Sequence, residues 1–363
     1  MFWSPLKISP KRFVGIDIGT SSIKVIELAS VGERIKLENY GEISANAFFE
    51  KPFRSLEKNT LALSNKEIAQ AIKVVLREAQ IETKEAIFSI PDFSSFFTSF
   101  KLPPMTKEEI SAAVRFEARQ HIPLPLSEVV LDWSVIEGKT SEKDQKTGPE
   151  ILLVAVPHEV INHYEDIAQL AQIKILALEA EVFGLARALI KDKKGVVGIV
   201  DIGAQTSTIN IVDNGTMKVS HSFDASSNEL TRVLAKALNI DYNEAEGMKK
   251  RHGMGSLETN VAKAMQPILD LMLSELTKVN REFQVASGRE VEGYIISGGT
   301  ALLPGLKEYF ADYLKKPVEI GNPLANIFYP PVLEETMKEI GSSYTVAIGM
   351  ALHGFDTKYP LTK

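Results

Sequence analysis

The chain has 363 residues, of which 44% are hydrophobic and 24% charged, with a formal net charge of −6 and no cysteine. These fractions exclude a disordered or fibrous chain, and at about 100–200 residues per domain the length predicts two or three domains. The absence of cysteine excludes disulfides, thiolate zinc sites and cysteine nucleophiles and fits a reducing compartment, while the acidic balance argues against nucleic acid or an anionic lipid surface as a broad electrostatic partner. No run reaches the roughly 18–20 apolar residues that cross a bilayer, so no transmembrane segment is predicted. The start, Met1-Phe2-Trp3-Ser4-Pro5, is too short for a signal peptide, is broken by Pro5 and Pro10, and reads as a loose arm.

In chain order, Phe13 to Ile18 reads as a buried strand, Gly19 to Ser22 as a turn, and Ile23 to Leu28 and Ile35 to Ile43 as two more strands. Ser64-Asn65-Lys66-Glu67 is a capping box ahead of Ile68, Ala71, Ile72, Val75, Leu76 and Ala79 at helical spacing. Glu85 to Ile90 and Ser95 to Leu102 read as strands. A second capping box, Thr106 to Glu109, opens a helix through Ile110, Val114 and Ala118 that Pro123 and Pro125 stop. Val129 to Ile136 alternates, with Leu131, Trp133 and Val135 on one face. Lys139 to Pro149 reads as a mobile hairpin loop and Ile151 to Val156 as a buried strand. Residues 86–156 are therefore expected to form an inserted strand-helix-strand-strand module. A helix over Glu159 to Ala171, a strand over Lys174 to Leu178 and a helix over Glu181 to Ile190 lead to a charged turn, Lys191 to Gly195, where the boundary between two large halves is placed.

The second half repeats the opening of the first. Val197 to Gly203 has the pattern of Phe13 to Gly19, followed by a strand at Thr208 to Val212. A helix capped at Ser226 to Glu229 follows, and then an apolar stripe from Leu257 to Ala286 interrupted by Pro267. A strand at Tyr294 to Ser297 and an apolar helix at Tyr344 to Phe355 complete the pattern. The expected organisation is 1–85 as the N-terminal part of the first half, 86–156 as the module and 157–194 as the return to the first half. Residues 195–343 form the second half, with a helical part at about 224–290, and 344–363 a C-terminal helix packing back on the first.

Three segments carry chemistry. Asp17-Ile18-Gly19-Thr20-Ser21-Ser22-Ile23-Lys24 places a carboxylate at a strand end. Gly19 allows a tight turn, the following amides and the hydroxyls of Thr20, Ser21 and Ser22 act as donors, and Lys24 is a cation. Together they form an anion-binding nest. It is not a Walker A loop. Asp201-Ile202-Gly203-Ala204-Gln205-Thr206 has the same form 184 residues later. Two such hairpins can clasp one polyphosphate from opposite sides, with Asp17 and Asp201 holding a hydrated Mg²⁺ through water. The third segment, Ser297-Gly298-Gly299-Thr300 to Leu306, is a strand entering a glycine pair and a helix leaving it, so that the backbone and the free amides of the helix end can approach a flat or charged ligand.

In that order the three segments resemble the phosphate-1, phosphate-2 and adenosine motifs of the actin-like ATPase superfamily, over nearly the whole chain. The resemblance implies an α/β fold of two ribonuclease-H-like halves around a nucleotide cleft. It implies ATP and Mg²⁺ as cofactors, and a nucleotide site of Asp17, Gly19, Thr20, Ser21, Ser22, Lys24, Asp201, Gly203, Ala204, Gln205, Thr206, Gly298, Gly299 and Thr300. The family's connect-1 segment, which often supplies a Glu or Gln that orients the attacking water, falls at Glu181. Val182 follows it where relatives commonly have Pro, and the alternative reading is a surface glutamate. Lys278 is placed near the nucleotide base, the alternative being a solvated lysine. The helix Thr345 to Leu352 resembles the connect-2 helix, whose small residues let the halves pack and pivot.

Within the superfamily, residues 86–156 resemble the inserted SHS2-like module shared by FtsA and PilM. The strings Val14 to Leu28, Arg115 to Pro123 and Glu181 to Leu189 resemble the PilM family of type IV pilus assembly proteins more closely. The end of the chain, Asp356 to Lys363 with Pro360, lacks the amphipathic helix with which FtsA members end. The PilM resemblance implies a cytoplasmic protein, peripheral to the inner membrane, that docks the N-terminal cytoplasmic peptide of an inner-membrane PilN-type protein. It implies other pilus assembly proteins as partners, and slow or regulatory ATP hydrolysis. The peptide is expected in a groove between the module and the first half; the alternative use of the module is to stabilise that half or to mediate self-association. The alternative functions are a sugar or acetate-type kinase on the same superfold and an FtsA-like filament protein.

Overall fold

The computed structural model describes residues 10–32, 34–45, 52–55, 60–61, 63–137, 148–190 and 194–356. Most of the expected loop at 139–149, the N-terminal arm, the centre of the charged turn and the last seven residues lie outside the described residues.

The chain opens with an antiparallel meander, β1 (Arg12–Ile18), β2 (Ser22–Val31) and β3 (Arg34–Ser44). β1 and most of β2 are buried at consecutive positions, so both faces are covered and the strands are apolar throughout rather than alternating. A two-stranded ladder, β4 (Arg54–Ser55) and β5 (Thr60–Leu61), precedes α1 (Asn65–Glu78). The capping box of α1 is formed: Glu67 N–H donates to Ser64 Oγ at 3.3 Å and Ser64 N–H donates to Glu67 Oε2 at 2.8 Å.

β6 (Glu85–Ile90) runs parallel between β1 and β10 inside the main sheet, which corrects its expected place in the inserted module. Its residues from Ala86 to Ile90 are all buried, and only a central strand covered on both faces satisfies such a run. The module proper is β7 (Phe96–Lys101), α2 (Lys107–His121), β8 (Val129–Glu137) and β9 (Glu150–Pro157), with strand order β7-β9-β8. Ile110, Val114 and Ala118 of α2 share a core with Ile151, Leu153 and Ala155 of β9. Leu131 and Trp133 face that core as expected, but the register slips between Val135 and Glu137. Val135 is exposed in consequence, and Ile136 turns to a different cluster. The chain returns through α3 (His158–Ala171), β10 (Lys174–Ala180) and α4 (Glu181–Leu189).

The second half begins with the same meander, β11 (Val196–Ile202), β12 (Ser207–Asp213) and β13 (Thr216–Phe223). β13 was not expected from the sequence; it is an edge strand with Lys218, Ser220 and Ser222 between its apolar positions. Three helices follow: α5 (Ser227–Leu238), α6 (Tyr242–His252) and α7 (Asn260–Ser287). α7 runs 28 residues straight through Pro267, where an interruption was expected. The buried row Met265, Leu269, Met272, Leu273 and Leu276 holds the helix together across the one missing N–H. β14 (Gly293–Ser297), α8 (Leu306–Leu314), β15 (Val318–Ile320), β16 (Ile327–Phe328), α9 (Glu334–Ile340) and α10 (Thr345–His353) complete the described chain.

The sheets have strand orders β10-β6-β1-β2-β3-β16 and β13-β12-β11-β14-β15. Each carries an antiparallel meander and, from its first strand outward, two parallel strands, so the halves share one topology; β16 crosses over to extend the first sheet beside β3. α10 lies on β1, where a Cβ on Gly15 would stand 2.0 Å from the Ala347 carbonyl oxygen. α4 shares a core with the second sheet through Val182, Leu189, Ile199, Val212 and Ile295. The two helices cross at Gly184 and Gly349, where a Cβ on Gly349 would stand 2.1 Å from Gly184 O. Only glycine permits that approach.

Candidate functional site

The two Asp-x-Gly hairpins are closed by the same bond and backed in a similar way, with the backing bonds one residue earlier in the second. Gly19 N–H donates to Ser22 O at 2.9 Å, and Gly203 N–H donates to Thr206 O at 3.0 Å. In both turns the segment after the third strand holds the loop from behind. Phe53 and Ala45 N–H donate to the carbonyls of Thr20 and Ser21 at 2.9 and 2.8 Å. Ser227 and Asn228 N–H donate to those of Gly203 and Ala204 at 3.0 and 2.9 Å. A trans peptide points its C=O and the next N–H in opposite directions, and the described residues contain no cis bond. The amides of Ser21, Ser22, Ala204 and Gln205 therefore point away from the packed segments. This arrangement also explains Ser226, whose side chain makes no cap bond: the first amides of α5 are engaged by the loop instead.

The carboxylates repeat as well. Asp17 is buried and accepts from Ser89 Oγ, on the neighbouring parallel strand, at 2.7 Å. Asp201 stands beside Ser297 on its own parallel neighbour β14. Burial raises the Asp201 carboxyl to about 6; the Ser297 hydroxyl opposes this, the charge of Asp17 adds to it and Lys24 opposes it. Asp17, Asp201 and Lys24 are thus within electrostatic reach of one another, one carboxylate from each half. Lys24 Nζ donates to Ser22 Oγ at 2.7 Å and lies 3.6 Å from Glu42.

Around this pair lie two residues that sequence reasoning missed, Arg54 and Asp92, and one that it named, Glu181. Arg54 donates through Nη1 and Nη2 to Glu181 Oε1, both at 3.0 Å. Glu181 is the first residue of α4, and its side chain is only 17% exposed, so it is not the surface glutamate of the alternative reading. Burial raises its carboxyl, Arg54 opposes this, and the charges of Asp17 and Asp92 add to it. Asp92 follows β6 directly and accepts from Val182 N–H at 3.1 Å, while its Oδ2 is buried with no partner. Burial raises the Asp92 carboxyl; the Val182 bond opposes this, Asp201 adds to it and Arg54 opposes it. The Pro91-Asp92 step after an apolar strand carried the same strand-Asp signal as Asp17.

In the third segment Gly298 has φ +89°, and a Cβ there would lie 2.5 Å from Ile202 O, directly after Asp201. Gly299 is exposed, with no atom within 4 Å of a Cβ position. The helix after the glycines begins only at Leu306, after Gly305, so its free amides do not adjoin the glycine pair as expected. The buried Thr300 Oγ1 and Gln205 Oε1 have no partner. Lys278 is exposed on α7. Among the described residues no group of three or more His, Asp or Glu is placed to hold a metal. Asp17 and Asp201 stand among polar atoms left unsatisfied, Asp92 Oδ2, Gln205 Oε1 and Thr300 Oγ1, and two carboxylates fit a cation held largely through water and phosphate oxygens.

The family model for type IV pilus assembly protein PilM matches residues 15–355. This chain belongs to that family. Among solved structures it is similar to the PilM-PilN type IV pilus biogenesis complex, with a TM-score of 0.80 and 24% identity, covering 94% of this chain and 98% of that one. It is also similar to the ethanolamine utilization protein EutJ from Carboxydothermus hydrogenoformans, with a TM-score of 0.59 and 17% identity over 96% of this chain and 91% of that one. Among curated proteins, the cell division protein FtsA of Bacillus subtilis (strain 168) is 21% identical over 349 residues, 86% of this chain and 78% of that protein. The fold is that of the actin-like ATPases, and this PilM-family chain is an actin-like protein of type IV pilus assembly. No described helix is long and apolar enough to cross a membrane.

Proposed function

We propose that the cleft between the two Asp-Gly hairpins binds ATP with Mg²⁺, and that the inserted module docks the N-terminal cytoplasmic peptide of a PilN-type inner-membrane protein. The observation that carries the first part is the repetition of the two hairpins, each closed by a glycine N–H bond to the residue three positions on and backed by two N–H donors, with one carboxylate in each half within electrostatic reach of the other. The Ser21, Ser22, Ala204 and Gln205 amides and Lys24 bind the phosphates; Gly298, Gly299 and Thr300 border the adenosine side. Bound Mg²⁺ supplies charge neutralisation of the phosphate oxygens, and Asp17 and Asp201 orient its water shell. The half-buried Glu181 is the carboxylate positioned to orient a water. Arg54 occupies it in the nucleotide-free chain, and hydrolysis is slow or regulatory.

The second part is supported by the family, by the PilM-PilN complex among its structural neighbours and by the module itself. The module contributes none of the phosphate motifs, yet it presents Phe116 on α2, 64% exposed, and Val130 and Val135 on β8. An extended peptide in a groove between the module and the first half places alternate side chains in such apolar positions. Docking recruits the protein to the cytoplasmic face of the inner membrane, where other pilus assembly proteins join it. Titration of the PilN-type N-terminal peptide into Phe116→Ser and Val130→Ser tests this. Peptide affinity is expected to fall at least tenfold in one of them while ATP affinity stays within about threefold, or ~0.7 kcal/mol. Undiminished peptide affinity in both places the docking surface elsewhere.

A further inference from the structure

A buried guanidinium is stable only when paired and fully hydrogen-bonded. Arg54 is 7% exposed, lies 5.5 Å over the Phe93 ring, and has Glu181, Tyr164 and Asp17 around its charge. Its pairing with Glu181 is incomplete. Both terminal nitrogens converge on the single oxygen Oε1, whereas the fork of a guanidinium matches both oxygens of a carboxylate. The buried Nε–H has no acceptor among the described residues. Donors therefore remain for a second anion.

The location of the side chain says which anion. Phe53, the residue before it, donates its N–H to the Thr20 carbonyl, so the backbone carrying Arg54 is fastened to the first hairpin. The same guanidinium reaches the N-terminal residue of α4, 127 positions along the chain. It thus lies between the loop that receives phosphates and the helix that crosses α10 between the halves.

We propose that Arg54 senses a nucleoside triphosphate: its guanidinium passes from Glu181 to the terminal phosphate, and a diphosphate leaves the Arg54–Glu181 pair in place. A terminal phosphate offers more negative charge and three acceptor oxygens where Glu181 now offers one. The exchange frees the Glu181 carboxylate and unties β4 from α4, so the nucleotide state is passed to the crossing helices. This inference rests on the nucleotide reading of the cleft.

Calorimetric titration of the full chain with Mg²⁺ and either AMPPNP or ADP tests it. Hydrogen bonds to charged groups contribute about 1.5–3 kcal/mol, so Arg54→Ala is expected to lose roughly tenfold or more in AMPPNP affinity, with ADP affinity within about twofold. Arg54→Lys keeps the charge without the fork and is expected to fall between wild type and Arg54→Ala. Glu181→Gln removes the competing charge and is expected to tighten AMPPNP alone. Circular dichroism checks folding, and Arg54→Ala combined with Glu181→Gln, which leaves no unpaired buried charge, replaces the single variant if that one does not fold. Equal loss of both nucleotides, or loss of neither, while the wild type binds both, overturns the sensing role and leaves the cleft reading intact. Binding of neither nucleotide by the wild type overturns both.

Discussion

Gly298 and Gly299 are adjacent in sequence and opposite in physical role, which makes their substitution a sharp test of the cleft. Gly298 has φ +89°, where an L-residue pays about 1–2 kcal/mol or more, and its new Cβ would stand 2.5 Å from Ile202 O. Relieving that contact moves backbone in a packed layer, which adds about 1–3 kcal/mol. Gly298→Ala is therefore expected to cost ~2–5 kcal/mol, a large share of the 5–15 kcal/mol typical of folded domains. Because the clash falls on the residue after Asp201, nucleotide affinity falls with it. Gly299 has no atom within 4 Å of its Cβ position, so Gly299→Val is expected to change stability by less than about 0.5 kcal/mol. Its branched side chain projects into space assigned to the adenosine, and the loss appears only in nucleotide affinity. Urea unfolding midpoints without nucleotide, together with ATP titrations, separate the two outcomes. If Gly298→Ala is as stable as wild type, or Gly299→Val is the less stable of the two, the geometry argued for this turn is wrong.

The Asp201 carboxyl titrates about 3.8 when unfolded and about 6 when folded, so between those values the folded chain holds the extra proton. Stability then falls as pH rises through that window, and the whole cost, ~3 kcal/mol, is present above about 6. Asp201→Asn is expected to raise the urea midpoint at pH 7.5 and not at pH 3.5, without nucleotide; an equal gain at both values contradicts the assignment. At the helix crossing, a Cβ on Gly349 meets the Gly184 carbonyl, whereas a Cβ on Gly184 first meets the flexible Met350 terminal methyl at 2.6 Å. Gly349→Ala is expected to destabilise by ~2–4 kcal/mol and Gly184→Ala by less, read by thermal unfolding.

The repeated strand-Asp-x-Gly pattern was legible because each half encloses its first strand on both faces, leaving an apolar run with one carboxylate at its end. The module's helix and its capping box were legible for the same local reasons: Thr106 and Glu109 close the box within three residues. β13 was not, since its polar positions dilute the apolar signal; the turn before it, Asn214-Gly215 with both φ positive, was the readable mark of a hairpin. Arg54 sits in a stretch with no periodicity, and its meaning depends on a partner 127 residues away. Glu181 was placed at the right helix end, but its burial follows from that same distant arginine. The place of β6 turns on which strand pairs with which, and a short apolar run carries no information on its neighbours.

The central claim is that one carboxylate from each half serves a single Mg²⁺–nucleotide complex, and the most direct measurement is ATP titration of wild type, Asp17→Asn and Asp201→Asn with Mg²⁺ and with EDTA. The account predicts that Mg²⁺ tightens ATP binding in the wild type, that each variant loses most of that gain, and that in EDTA neither variant binds more weakly than the wild type. An undiminished Mg²⁺ dependence in both variants contradicts it.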